Sequence, residues 1–393
     1  MSGYYYSGQE SRLERIAWRM WLIEVISFVV LVLISLASAF SALSPQAGFP
    51  CFFGNVAGGH LKPATPLINQ PGLLRANEDG LFFISSPGMI FTVYATMAVW
   101  ILLAIYVTLG AVRAKTCNHD RSYGASELTS AVISTPALMS IIITVWAWQL
   151  FVLLLSYRQL TLSAVTFCII FVSGIVFLGT FASSGKTPDQ YSVFNSQLKS
   201  ACPEVHCVVS PFKAVVLNVY ASIMGVWGLI MALSGALVMT VNFGVSVPAS
   251  TLGAMIAFLI IGIIYLIVTE LVLAKYVHVL IGPHFGLIIA LGMLGTASLH
   301  YANTLDSGTH PNWKPAAAGI LGVFALLVLV LAILRVVRAY RYHQYRQTDF
   351  IRKVTTVATE ALDKTVKRKT RREKYKSRRD KHVYETVPYD DEL

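Results

Sequence analysis

The sequence is short of charge, of cysteine and of every motif that marks a catalytic centre. Only 13% of its 393 residues are Asp, Glu, Lys or Arg, about half the share in a soluble domain, while 55% are hydrophobic. With a mean hydropathy of +0.62, a soluble protein of this length is excluded. The five cysteines, Cys51, Cys117, Cys168, Cys202 and Cys207, are too few and scattered for a disulfide scaffold, and none has the spacing of a zinc site. There is no phosphate loop, HExxH, GxSxG or His/Cys cluster. This reading assigns no enzyme activity, metal or cofactor. No Asn-x-Ser/Thr sequon occurs, since Asn55, Asn69 and Asn77 all lack the hydroxyl residue at the second position after them, so N-glycosylation is not expected. The strict alternation that marks a closed membrane barrel is also missing.

What is present is a series of apolar runs long enough to cross a bilayer, which takes roughly 20 helical residues. They cover about 21–43, 88–112, 133–155, 162–184, 214–240, 251–273, 285–303 and 316–336. In lipid every backbone N–H and C=O must be satisfied within the segment, so the runs are helices. The fold class is therefore an all-α polytopic membrane protein with about eight transmembrane helices. Residues 1–20 precede the bundle of 21–336, and 337–393 form a basic tail, helical or disordered. The first run follows Arg12, Arg15 and Arg19 and contains a passable cleavage site, Ala37-Ser38-Ala39. Its length exceeds that of a signal-peptide core, which favours an uncleaved first helix.

Lys and Arg set the orientation. Ten lie on the side of the N-terminus, from Arg12 through Arg113, Lys115 and Lys213 to Lys275, and four lie opposite, Lys62, Arg75, Arg158 and Lys314. The tail from Arg335 adds seventeen to the first side. Both termini are expected in the cytosol, and the sizeable loop 44–86 in the lumen. The net charge of +11 is thus topology and tail rather than a nucleic-acid signal; the basic run with Lys367-Arg368-Lys369 suits anionic lipid head groups.

On this topology Cys51 is the one cysteine in the oxidising compartment. It either forms an intermolecular disulfide or is a buried thiol, and spacing alone does not separate the two. Cys202 and Cys207 read as cytosolic thiols, Cys117 as a plain cysteine with acylation as the alternative, and Cys168 as packing within a span. Glu24 and Glu270 are intramembrane carboxylates, which raises an ion or proton path. Both fall near cytosolic helix ends, where anchoring to water or an Arg is preferred. Gln149, beside Trp146 and Trp148, reads as an interhelical hydrogen-bonding group. Pro136 is expected to kink the third span. Gly228 with Ala232, Gly286 with Ala290, and Ala318 with Gly322 have the four-residue spacing that admits close helix approach. At the end of the tail, Tyr384-Glu385-Thr386-Val387 fits the Tyr-x-x-bulky pattern read by clathrin adaptors, followed by Asp390-Asp391-Glu392.

Several short stretches together resemble the herpesvirus envelope glycoprotein M family, in particular its alphaherpesvirus members. They are Gly48-Phe49-Pro50-Cys51, Thr65-Pro66, Leu155-Ser156-Tyr157-Arg158, and Thr269-Glu270 followed by Tyr276 and His284-Phe285-Gly286. The resemblance covers most of residues 12–340. It implies a non-enzymatic, eight-span virion envelope protein acting in assembly, secondary envelopment and egress. It implies that Cys51 links covalently to a small single-span partner, glycoprotein N, and that the complex modulates membrane fusion. The implied membranes are the virion envelope, the Golgi, the trans-Golgi network, endosomes and the inner nuclear membrane. Other viral envelope proteins, tegument proteins and clathrin adaptors, the last through Tyr384, Val387, Asp390, Asp391 and Glu392, are the further implied partners. The competing reading is a transporter, channel or receptor with Glu24 or Glu270 on an aqueous path.

Overall fold

The computed structural model describes residues 3–43, 86–119, 125–156, 159–277, 279–304 and 311–341. Cys51 and the tail signal at Tyr384, Val387, Asp390, Asp391 and Glu392 lie outside them. The chain forms two units, Met1–Arg335 and Val336–Leu393; the second is described only through Arg341 and is helical there.

Among the described residues, eight helices are long and apolar enough to span a membrane. In chain order the helices are α1 (Gly3–Leu43), α2 (Ser86–His119), α3 (Ala125–Val132), α4 (Thr135–Ser156), α5 (Leu160–Ser183), α6 (Pro188–Ala201), α7 (Pro203–Phe243), α8 (Val247–Leu271), α9 (Gly282–Thr304) and α10 (Trp313–Arg341). The short α3 and α6 are additions to the eight. Contacts between helix ends fix an up-and-down arrangement. Trp21 meets Ile133, Lys213 meets Ser184 and Arg335 meets Glu270 on the side where α1 begins, the entry side. Asn242 meets Thr161, and Trp313 meets Pro248, on the side where α1 leaves, the exit side.

The centre is α7, which touches α2, α5, α6, α8 and α9. Its most apolar stretch is 61% buried within the protein, against 17% for α10, so α10 is left mainly to lipid. At 41 residues α7 is about 60 Å long; it outruns the bilayer core and continues on the entry side well before the expected start at 214. An aromatic cluster fills the middle. Trp148 stacks on Trp227 at 5.7 Å and meets Trp100 edge-on at 5.9 Å, and the Trp227 indole N–H donates to Thr96 Oγ1 at 3.1 Å.

Pro136 does not kink a span. It lies in the first turn of α4, beyond two non-helical residues that follow α3, where a missing N–H is harmless to the helix it starts. Continuing α3 would have required Pro136 to donate to the Val132 carbonyl, and proline has no proton to give. The freed carbonyls are taken up from neighbouring helices: the Tyr106 hydroxyl donates to Val132 O and the Trp21 indole to Ile133 O, both at 2.9 Å.

Small residues make the α7–α9 contact. A Cβ on Gly286 would lie 2.0 Å from the Ser222 carbonyl oxygen, and one on Gly282 would lie 2.0 Å from that of Asn218. Of the other spaced small residues, Gly228 faces Ile261 and Phe171, whereas Gly322 has open space around it.

Candidate functional site

The intramembrane polar residues do not converge. Glu24, on α1, faces the Thr135 hydroxyl at the start of α4. Gln149, on α4, donates a hydrogen bond from Nε2 to Ser35 Oγ on α1. Glu270, at the end of α8, pairs with Arg335 of α10 at 3.3 Å. Glu24 and Gln149 stand at different levels of the α1–α4 contact and Glu270 at the α8–α10 contact, so among the described residues they assemble no common polar path. For Gln149 this is the interhelical bond the sequence suggested.

Around Glu270 the entry side holds a larger polar cluster than the sequence disclosed. Arg335 is 6% exposed; besides Glu270 it donates to the Val277 carbonyl at 3.1 Å. His284, at the start of α9, is buried beside it. Asn218 on α7 spends its whole side chain on the turn before α9. Its Nδ2 donates to the Ala214 and Val279 carbonyls, and its Oδ1 accepts from the N–H groups of Ile281 and Gly282, all between 2.8 and 2.9 Å. Every bond an amide can make in lipid is made there.

Lys213, counted in the sequence as a cytosolic loop charge, is 3% exposed inside the bundle. Its Nζ donates to Ser184 Oγ at 2.5 Å and lies over the rings of Phe181 and Tyr191, 5.2 and 5.4 Å from their centroids. Ser184 ends α5 in the left-handed region, φ 52°. The amine thus sits at a helix C-terminus and against aromatic faces, which offset part of the cost of burying it. Burial pushes the Tyr191 phenol above its ordinary range, which keeps that ring neutral beside the lysine.

Two cysteine readings change. Cys117, near the end of α2, and Cys202, at the α6–α7 junction, form a disulfide with Cα atoms 6.3 Å apart, not two separate thiols. Both cysteines are expected on one side of the membrane; their pairing, with two spans between them in the chain, is not legible from spacing. Cys168 is exposed on α5 rather than packed, and Cys207 stands free and exposed.

On the exit half, α1, α2 and α4 leave between them a groove of about 500 Å³. Its walls are apolar apart from Ser35, Ser38, Gln149 and the edge of Trp148. It runs from Ile142 to Leu153 along α4, roughly 16 Å or three helical turns.

Eight helices long and apolar enough to cross a membrane, among the described residues, define a polytopic membrane protein. Residues 14–354 match the family of herpesvirus glycoprotein M. The chain is 51% identical to envelope glycoprotein M of Psittacid herpesvirus 1 over 99% of this chain and 93% of that protein. It is 27% identical to envelope glycoprotein M of Equine herpesvirus 1, over 89% and 80%, and 28% identical to that of Varicella-zoster virus strain Dumas, over 75% and 68%. No solved structure matches. The chain belongs to the herpesvirus glycoprotein M family and is a multi-span protein of the virion envelope, from a family of structural envelope proteins rather than enzymes.

Proposed function

We propose that this chain is an assembly scaffold that captures glycoprotein N through Cys51 in the lumen and carries it to the envelopment membrane. Both termini face the cytosol in this reading, and the loop 44–86 faces the lumen. The observation that supports it is where the other four cysteines lie. Cys117, Cys202 and Cys207 lie on helix stretches at the entry side, and Cys168 lies within α5, whereas Cys51 follows α1 where that helix leaves on the exit side. Joining Cys51 to a partner thiol removes two protons and two electrons, which a lumenal disulfide donor accepts by exchange.

The tail supplies the address. Tyr384 and Val387, with Asp390, Asp391 and Glu392, engage clathrin adaptors and return the complex from the cell surface to endosomes and the trans-Golgi network. Gathering other envelope proteins and tegument proteins there promotes secondary envelopment and egress, and withdrawal of fusion proteins from the surface restrains membrane fusion.

Co-expression of the full chain with glycoprotein N, followed by non-reducing and reducing gels, tests this directly. The wild type gives a heavier band that reductant collapses, and Cys51→Ser abolishes it. A heavier band that survives Cys51→Ser overturns the covalent link.

A further inference from the structure

The groove between α1 and α4 has unmet polar groups in a wall that is otherwise apolar. Gln149 carries one acceptor and two donor hydrogens; its hydrogen bond to Ser35 uses one donor. Its carbonyl oxygen and second N–H remain for an occupant of the groove. Water meets such groups in a soluble protein. Lipid tails do not, so these groups favour an occupant that brings hydrogen-bonding atoms of its own to this depth.

The shape narrows the class of occupant. Ser35 and Ala39 stand one turn apart on α1, and Ala147 of α4 lines the same groove. Small residues at that spacing admit a helix backbone to close approach, and three turns of wall suit a helix segment. Trp146 is 62% exposed at the rim, a large flat side wall for such a guest.

Position supplies the third argument. Ala39 lies one turn before Leu43, where α1 ends. Cys51 follows eight residues later, a tether reaching at most about 28 Å. A spanning helix in the groove leaves the membrane beside α1, and a cysteine just outside its end falls within that reach.

We propose that this groove is the seat of the spanning helix of the single-span protein that Cys51 captures, a helix carrying a Ser, Thr, Asn or Gln level with Gln149. The proposal rests on the reading of Cys51 as an intermolecular link and adds where the partner lies within the membrane. Binding precedes the disulfide: the groove orders the two chains and the lumenal bond then locks them.

The test places a photo-crosslinking amino acid at Leu150 or Ile143 on the groove, and at Ile264 on the exposed face of α8 as the control. The full chain is co-expressed with the Cys51-linked protein, in wild-type and Cys51→Ser backgrounds. The expected result is an adduct with that same protein from positions 150 and 143 in both backgrounds, and none from 264. Ala39→Leu, which fills the groove from α1, then lowers non-covalent co-recovery roughly tenfold. If the Cys51 heteromer forms while positions 150 and 143 label only lipid, a second copy of this chain or nothing, the groove is not the seat and the scaffold reading survives. If no Cys51-dependent heteromer forms, the scaffold reading falls first, and the groove proposal with it.

Discussion

The two sides of the bundle are held together by different means. On the entry side the helices are cross-tied: Glu270 to Arg335, Asn218 to the turn before α9, and Lys213 to the end of α5. The exit side has ties of its own, Asn242 to Thr161 and Trp313 to Pro248, but between α1 and α4 its polar tie among the described residues is Gln149 to Ser35, with an apolar groove beside it. Where helices are tied to one another across their ends, position is fixed. Where groups are left over, next to a helix that leads to Cys51, a second chain completes the packing. A scaffold needs both: a rigid end to hold its helices and an incomplete end to receive a guest.

The comparison is broken most severely by cutting the ties of the entry side. Removing either member of a buried ion pair strands the other, so Glu270→Gln or Arg335→Met lowers stability by about 3 kcal/mol, read as a fall in the thermal midpoint of the purified protein. The double variant recovers much of that loss, because neither charge is then stranded. Next in size, Gly286→Ala pushes a methyl into the Ser222 carbonyl and costs about 2 kcal/mol in the same assay. Tyr106→Phe withdraws the donor from the Val132 carbonyl beside the Pro136 break and costs about 1 kcal/mol. Ala39→Leu on the exit half leaves the midpoint of the isolated chain unchanged while it weakens partner recovery, and that contrast separates the two ends.

The Cys117–Cys202 bond sharpens the comparison by side. With the entry side in the cytosol, glutathione keeps the pair as neighbouring thiols in the living cell. Alkylation before lysis then labels both residues, and the disulfide forms only after exposure to oxidant. Finding the pair already bonded in freshly blocked cells would reverse the orientation and with it the lumenal placing of Cys51. Cys117→Ser leaves the Cys51 heteromer intact.

Much of the architecture was legible because lipid enforces it. A backbone without water must be helical, and eight apolar runs therefore gave eight spans, the fifth of which begins well before its run. Facing was not legible, since a helix side turned to lipid is as apolar as one turned to the core. Trp146 and Trp148 stand two residues apart in one run, yet the first is 62% exposed and the second 1%. The polar ties were legible only in part. Glu270 and Gln149 stood out as polar groups within apolar runs, whereas Asn218, Lys213 and Arg335 lie at the ends of runs, where polar residues pass for ordinary boundary markers. The start of α7 was missed for the same reason: its first turns, with Glu204, His206 and Lys213, read as loop.

The measurement that bears most directly on the scaffold is mass spectrometry of the Cys51 peptide from virions alkylated before any reduction. The account predicts that peptide in mixed disulfide with a cysteine from a second protein, released on reduction. Recovery of the Cys51 peptide alkylated as a free thiol would contradict it.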